Sequence, residues 1–384
     1  DEFILISVDT ALHVLFNFGI DPDLIYSVDP QALNSAYMEG YAGQARLVFD
    51  PTSSYHTLRI SKTLKNGFFT SSPFPLTKIL SEISSIEIGD VPFGGSVSTN
   101  AVSLANLMKG APIFLVGQDL AFTNGYAHCR GAILEERLNY KESRFFRREK
   151  HNYLQTHALA KKESIGYDGK KHATNEKMLI FKKWFEEASE GKNWINLTSD
   201  GSKINGIPQN QFSDWFEIGK YAENVQLVKK QISAISGKGQ NYIRPSILSK
   251  NVSSLIDNLE EFEKILSRGK NLSSEIYKSI ELEKLSHSDI RNALLEMDDI
   301  DEIVSTKKNL SEMIGTALQR IILMITEEYD IKLTLEEKKN PMLQVAKKSL
   351  LLYEGLFSAC KLTKTQLKKV LYRIESENFY ISTK

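Results

Sequence analysis

Residues 3–8 form an apolar run broken only by Ser7, the pattern of a short strand buried on both faces in a parallel sheet. Residues 10–18 switch to helical spacing and stop at Gly19, a fitting C-terminal cap. Two further strands, residues 24–28 and 47–49, end at Asp29 and Asp50, and Pro51 and Thr52 then open a helix. Shorter strands are expected over 67–70 and 85–88, on either side of a helix over 75–84. A long helix follows Gly94 and Gly95 to about residue 109, and Ile113, Phe114, Leu115 and Val116 make the clearest strand of all. Strands and helices in alternation predict an α/β fold: one doubly wound, mostly parallel Rossmann-like sheet over residues 3–120.

The pattern changes after about residue 139. Residues 144–150 are strongly basic, and the stretch to Lys162 is polar with helical character. Residues 177–190 predict an amphipathic helix with Trp184 and Phe185 on its apolar side. Residues 193–197 predict a short strand returning to the edge of the first sheet, and 198–208 are turn-rich. From residue 213 strand signals give way to three- and four-residue apolar spacing, as in Leu255, Leu259, Phe262 and Leu266, interrupted at Pro245 and Pro341. That pattern predicts an all-α domain of long antiparallel helices. The expected division is an α/β domain over 1–210 and a helical domain over 211–384.

Composition narrows the class. The 384 residues are 41% hydrophobic, which excludes a disordered tail or a collagen-like rod. The 48 basic and 48 acidic side chains cancel, so no global pull toward nucleic acid or an anionic membrane follows. Cys129 and Cys360 are far apart and neither lies in a CxxC, which argues against a disulfide scaffold or structural zinc. With no apolar run of about 20 residues to span a bilayer and no visible signal peptide, a reduced cytoplasmic location is expected. The chain opens at Asp1 directly into a strand, so a preceding segment is expected to be missing.

Ligands of open parallel sheets bind at the carboxyl ends of the strands. Asp9, Asp29 and Asp50 each end a strand here, and Asp119 lies just past another. Each can cap the next helix or bind sugar and base hydroxyls and amines; four at one edge favour a polar cleft. Gly94, Gly95 and Ser96 precede a helix, where free N–H groups attract phosphate, although Ser96 is also a good cap. Neither GxGxxG nor GxxxxGK[ST] occurs. Asp21-Pro22-Asp23 matches a DxD pattern but stands ahead of a strand, so it reads as a turn. The loop after residue 116 carries Gly117, Gln118, Asp119, Tyr126 and His128, an amide, a carboxylate, a phenol and an imidazole at the mouth of the cleft. His128 is the candidate general base, with His151, His157 and His172 as weaker ones.

Gly94-Gly95-Ser96-Val97 with Gly117-Gln118-Asp119-Leu120-Ala121-Phe122, His128 and Gly131 resembles the motility accessory factor family of flagellin glycosyltransferases. Ser7-Val8-Asp9-Thr10-Ala11, Gly19-Ile20-Asp21-Pro22-Asp23, Asp168-Gly169-Lys170-Lys171 and residues 196–206 extend the resemblance over roughly 3–210. It implies a catalytic domain similar to bacterial sialyltransferases. The reaction would be inverting transfer of a nonulosonic acid, pseudaminic or legionaminic in type, from a CMP-activated donor to Ser/Thr of flagellin. No tightly bound cofactor, catalytic metal, nucleic acid or membrane span is implied.

Carried over by position, Asp9, Thr10, Asp29, Gly94, Gly95, Ser96 and Gly117 would face the donor nucleotide. Gln118 and Asp119 would sit at the donor–acceptor junction, and Tyr126 would meet the departing phosphate. Ala121 stands where a second such tyrosine belongs, and the family's GxGPSL segment would precede the first strand seen here. Two alternatives stay open. One is an ATP- and magnesium-dependent hydroxymethylpterin pyrophosphokinase-like enzyme, with the strand-end aspartates as metal ligands. The other is a non-catalytic flagellin-binding or assembly factor.

Overall fold

The structure is a computed structural model. It describes residues 2–60, 67–70, 75–85, 88–133, 135–137, 142–211, 213, 222–234, 244–282, 287–315, 318, 322, 325, 334 and 340–382. In chain order, β1 (Ile6–Val8) leads through a 3-10 turn (Asp9–Ala11) into α1 (Leu12–Asn17). Then come β2 (Leu24–Ser27), a 3-10 stretch (Ala32–Met38), β3 (Arg46–Phe49), α2 (Tyr55–Ile60), β4 (Gly67–Phe69), α3 (Pro75–Ser84), α4 (Val97–Leu107) and β5 (Ile113–Leu115). A 3-10 turn (Thr123–Gly125), α5 (Arg148–Thr156), β6 (Lys161–Ile165), β7 (Lys171–Asn175), α6 (Glu176–Ala188) and β8 (Trp194–Asn196) follow. The remaining elements are α7 (Ala222–Ala234), α8 (Pro245–Glu281), α9 (His287–Thr306), α10 (Lys308–Gly315) and α11 (Pro341–Ser382).

Contacts divide the chain into two compact units, residues 1–73 with 88–240 and residues 74–87 with 241–384. Helix α3 therefore belongs to the second unit and α7 to the first. No local shift in composition marks that exchange.

The first unit is mixed α/β with mostly parallel pairing. Strands β1 to β4 lie side by side in sequence order, all parallel. Strand β5 does not continue this ladder; it pairs in parallel with β8, Ile113 opposite Trp194 and Leu115 opposite Asn196. The single sheet expected over 3–120 is thus two ladders, and the strand at 193–197 returns to β5. Helix α4 explains the division, because it is apolar on two sides. Val97, Ala101 and Leu104 join the cluster of Leu24, Tyr26 and Val48, while Val102 joins Ile113, Leu115, Phe185 and Trp194. The rings of Phe3 and Phe114 meet edge-on at 6.0 Å, so β5 still lies close to the β1 side. The strand expected over 85–88 includes residues 86 and 87, which lie outside the described residues.

Helix α5 bears out the helical character read in the polar stretch to Lys162, and only its end is corrected: Lys161 and Lys162 begin β6, which forms an antiparallel hairpin with β7. Its residues lack apolar alternation because the buried ones are polar: Ser164, Thr174 and Asn175. Thr174 Oγ1 donates to the Leu120 carbonyl at 2.9 Å, which satisfies that burial.

Among the described residues the second unit contains only helices. Pro245 opens α8 at its first turn, and Val252, Ile256, Leu259, Phe262 and Leu266 bury one face of it. Gly269 lets α8 meet the Tyr353 ring of α11; a Cβ there would stand 2.3 Å from Cε1.

Candidate functional site

The parallel register sets Asp9, one residue past β1, opposite Ser27 of β2. Ser27 Oγ donates to Asp9 Oδ2 at 2.8 Å, and the Thr10 N–H donates to Oδ1 at 2.8 Å. Asp9 is 1% exposed. Burial pushes its carboxyl up to about 7, opposed by the Ser27 hydrogen bond and reinforced by the Asp29 charge. Asp29 accepts from Asn34 Nδ2 at 2.6 Å, and Asp50 accepts from both the N–H and the hydroxyl of Thr52. Each of these carboxylates bonds within the turn that leaves its strand, but the helical stretches after Asp9 and Asp29 take no side-chain cap, so the capping role expected of those two is not found. In the DxD segment, Asp21 binds Tyr41 and the Gln44 N–H, while Asp23 binds the Leu5 N–H and pairs with Lys229.

The loop after β5 is clamped from two sides. The Gln118 N–H donates to Thr198 Oγ1 at 2.9 Å, and the Asp119 carbonyl accepts from the Ser202 N–H at 2.7 Å. The Phe122 N–H donates to the Ala173 carbonyl of β7 at 2.8 Å. Gly201, at φ +101°, passes so close that a Cβ would stand 2.3 Å from the Asp119 carbonyl oxygen. Burial pushes the Asp119 carboxyl above the usual range; Thr123 opposes this and the Asp200 charge adds to it. Farther along, an Arg130 guanidinium nitrogen donates to the Tyr126 hydroxyl at 3.1 Å and stacks over its ring. Burial pushes the His128 imidazole below its ordinary value, with Glu135 opposing and His151 reinforcing the change.

Tyr37, in the 3-10 stretch, is 3% exposed. Its phenol is pushed up by burial and then by the charges of Asp9, Asp29 and Cys129. Cys129 in turn lies within electrostatic reach of Asp119 and Glu135. Asp9, Asp29 and Cys129 thus act on one phenol, and Asp119 and Glu135 act on Cys129. Gly94, Gly95 and Ser96 are less directly joined to these residues. Val97 shares an apolar cluster with Val8 and Val28, the residues ahead of Asp9 and Asp29. The glycines, however, face α6: a Cβ on Gly94 would stand 2.5 Å from the Trp184 ring, and Gly95, at φ +89°, faces Phe181. Ser96 spends its polar groups on a capping box with Ser98 and Thr99. His172 stands apart in the hairpin, with Nε2 3.0 Å from Asp168 Oδ1.

Ser27, Tyr37, Glu135 and Asp200 join the site without having been expected. Ser27 had a signal: Ser-Val-Asp occurs at both 7–9 and 27–29, so each strand delivers the same three residues to its carboxyl end. The other three, in a 3-10 stretch, a short helical segment and a bend, carry no distinguishing pattern. Among the described residues, no group of three or more His, Cys, Asp or Glu side chains is arranged to hold a metal ion. No helix among them is long and apolar enough to cross a membrane.

Comparison with known proteins adds three likenesses. Residues 1–125 match the family described as 6-hydroxymethylpterin diphosphokinase MptE-like. An uncharacterized protein of Treponema pallidum (strain Nichols) is 36% identical over 66 residues, 17% of this chain and 17% of that protein. The solved structure of a MAf glycosyltransferase from Magnetospirillum magneticum AMB-1 matches with a TM-score of 0.53 at 13% identity. That match covers 97% of this chain and 52% of the other, so the chain spans about half the length of its structural neighbour. At this identity the likeness establishes a shared fold.

Proposed function

We propose that the chain is a cytoplasmic glycosyltransferase that moves a nonulosonic acid, pseudaminic or legionaminic in type, from a CMP-activated donor to Ser/Thr of flagellin. The observation that carries this reading is the fold shared with a MAf glycosyltransferase, supported by Asp9 and Asp29 at neighbouring strand ends, both within electrostatic reach of Tyr37. Asp9, Thr10, Asp29 and Gly117 form the nucleotide end, while Gly94 and Gly95, turned to α6, and Ser96, engaged in its cap, are left out of it. Gln118 and Asp119 orient donor and acceptor. His128 takes the acceptor proton, and its depressed pKa keeps it neutral and able to do so near pH 7. Tyr126 accepts from Arg130 and so keeps its own hydroxyl proton for the leaving phosphate. The chemistry needs no metal and no tightly bound cofactor.

A second reading is favoured by a specific observation. The Asp29 charge reaches Asp9, and the Asp200 charge reaches Asp119, at the strand ends that this reading gives to an anionic donor. Magnesium bridging a triphosphate to one or two of them would relieve that repulsion, as a 6-hydroxymethylpterin diphosphokinase-like enzyme requires. Calorimetric titration separates the two. CMP binding that is insensitive to magnesium supports glycosyl transfer; ATP binding that depends on magnesium supports the kinase.

A further inference from the structure

Residues 361–373 of α11 carry five cations, Lys361, Lys364, Lys368, Lys369 and Arg373, and no acid. The helical unit uses two of them: Lys364 pairs with Glu263 of α8 and Lys368 with Glu260. Lys361, Lys369 and Arg373 are exposed and make no ion pair with any described residue. At 3.6 residues per turn they share one side of α11 with the exposed Leu362 and Tyr372.

Helix α9 carries the opposite sign. Residues 294–302 include five acids and no cation. Glu296 pairs with Arg268, and Asp301 accepts from the Tyr353 hydroxyl. Asp298, Asp299 and Glu302 remain exposed and make no ion pair with any described residue, on the side of α9 that bears the exposed Leu294 and Leu295. The two faces stand at different levels of the same unit. Lys368 meets α8 at Glu260, and Glu296 meets it at Arg268, about 12 Å farther along at 1.5 Å per residue.

We infer that the partner of these faces is a second copy of this chain, the basic face of α11 docking on the acidic face of α9 in a two-fold pairing that makes the contact twice. Three unpaired cations meet three unpaired anions, and each set stands beside exposed apolar side chains. An in-register parallel pairing would set like charges together; an antiparallel one about a two-fold axis sets each basic face against the other copy's acidic face. Thr365, Lys368, Lys369, Tyr372 and Arg373 line an open depression of about 440 Å³, which receives Leu294 and Leu295 of the second copy. Burial of the leucines contributes affinity, and the charges set the partner and its direction. The inference is independent of the reaction that the first unit performs.

The test is sedimentation velocity of the full chain at low and high salt. The wild type should dimerise at about 50 mM salt, and its dissociation constant should rise at least about 10-fold at about 500 mM, where exposed charges are screened. Lys361→Glu, Lys369→Glu and Arg373→Glu together, or Asp298→Lys, Asp299→Lys and Glu302→Lys together, should each weaken self-association at low salt at least about 10-fold. An equimolar mixture of the two triple variants should restore the dimer, because each then offers the sign that the other lacks. The salt series on the wild type needs no variant to fold. A wild type that is monomeric at both salt concentrations overturns the inference, as does a mixture that stays monomeric. Weakening by the α11 substitutions alone, with the α9 variant unchanged, would give the basic face to a different acidic surface and overturn it equally.

Discussion

Ser27 Oγ holds Asp9 Oδ2 at 2.8 Å across the β1–β2 register, so the second strand donates to the carboxyl that ends the first. That single bond does not offset the desolvation of Asp9, whose carboxyl stays protonated up to about pH 7.

The consequence is a pH-dependent stability. The folded chain holds the Asp9 proton more tightly than the unfolded chain, so stability falls as pH rises from about 4 to about 7 and then levels off. Asp9→Asn should flatten this dependence and match or exceed the wild type above pH 7, by up to a few kcal/mol. Urea unfolding at pH 5 and pH 8 checks it; equal wild-type stabilities at the two pH values would contradict it.

The depressed His128 pKa has a kinetic counterpart. The acidic limb of kcat/KM should turn over below the ordinary 6.5 of a histidine. His128→Ala should lose about 10²–10⁴-fold in kcat while donor binding is kept. Wild-type turnover in that variant would remove His128 from the mechanism and make His151 the next candidate.

Tyr126→Phe should lower kcat more than donor affinity, because the phenol hydrogen bond strengthens as charge builds on the leaving phosphate. Arg130→Ala should produce a milder loss, since Arg130 donates to the Tyr126 hydroxyl rather than acting in its place. Equal kcat in wild type and Tyr126→Phe would contradict the assignment.

Gly201→Ala tests the clamp on the Asp119 loop. The added Cβ would collide with the Asp119 carbonyl in a left-handed backbone that glycine alone adopts freely. A loss of about 1–3 kcal/mol is expected, together with weaker donor binding. A variant as stable and active as wild type would show that the clamp does not position Asp119.

The parts of the fold most legible in the sequence were those whose burial is apolar. Ile25, Leu47 and Val48 announce parallel strands, and Leu259, Phe262 and Leu266 announce a helix face. The β6–β7 hairpin was hidden because its buried positions are Ser164, Thr174 and Asn175, which carry no hydrophobic period. The parting of β5 from β1 to β4 was hidden because adjacent residues of α4, Ala101 and Val102, serve different cores. At the site, strand-end aspartates were visible as punctuation after apolar runs. Tyr37, Asp200 and Glu135 were not, because only tertiary folding brings them within electrostatic reach of Asp9, Asp119 and His128.

The central claim is tested most directly by incubating the chain with a CMP-nonulosonic acid and purified flagellin in the presence of a chelator, and following CMP release and flagellin mass together. The account predicts CMP release matched by one added nonulosonic acid per CMP, undiminished by the chelator and lost in His128→Ala. No release from either CMP-pseudaminic or CMP-legionaminic acid, with magnesium-dependent ATP consumption on addition of 6-hydroxymethylpterin, would contradict it.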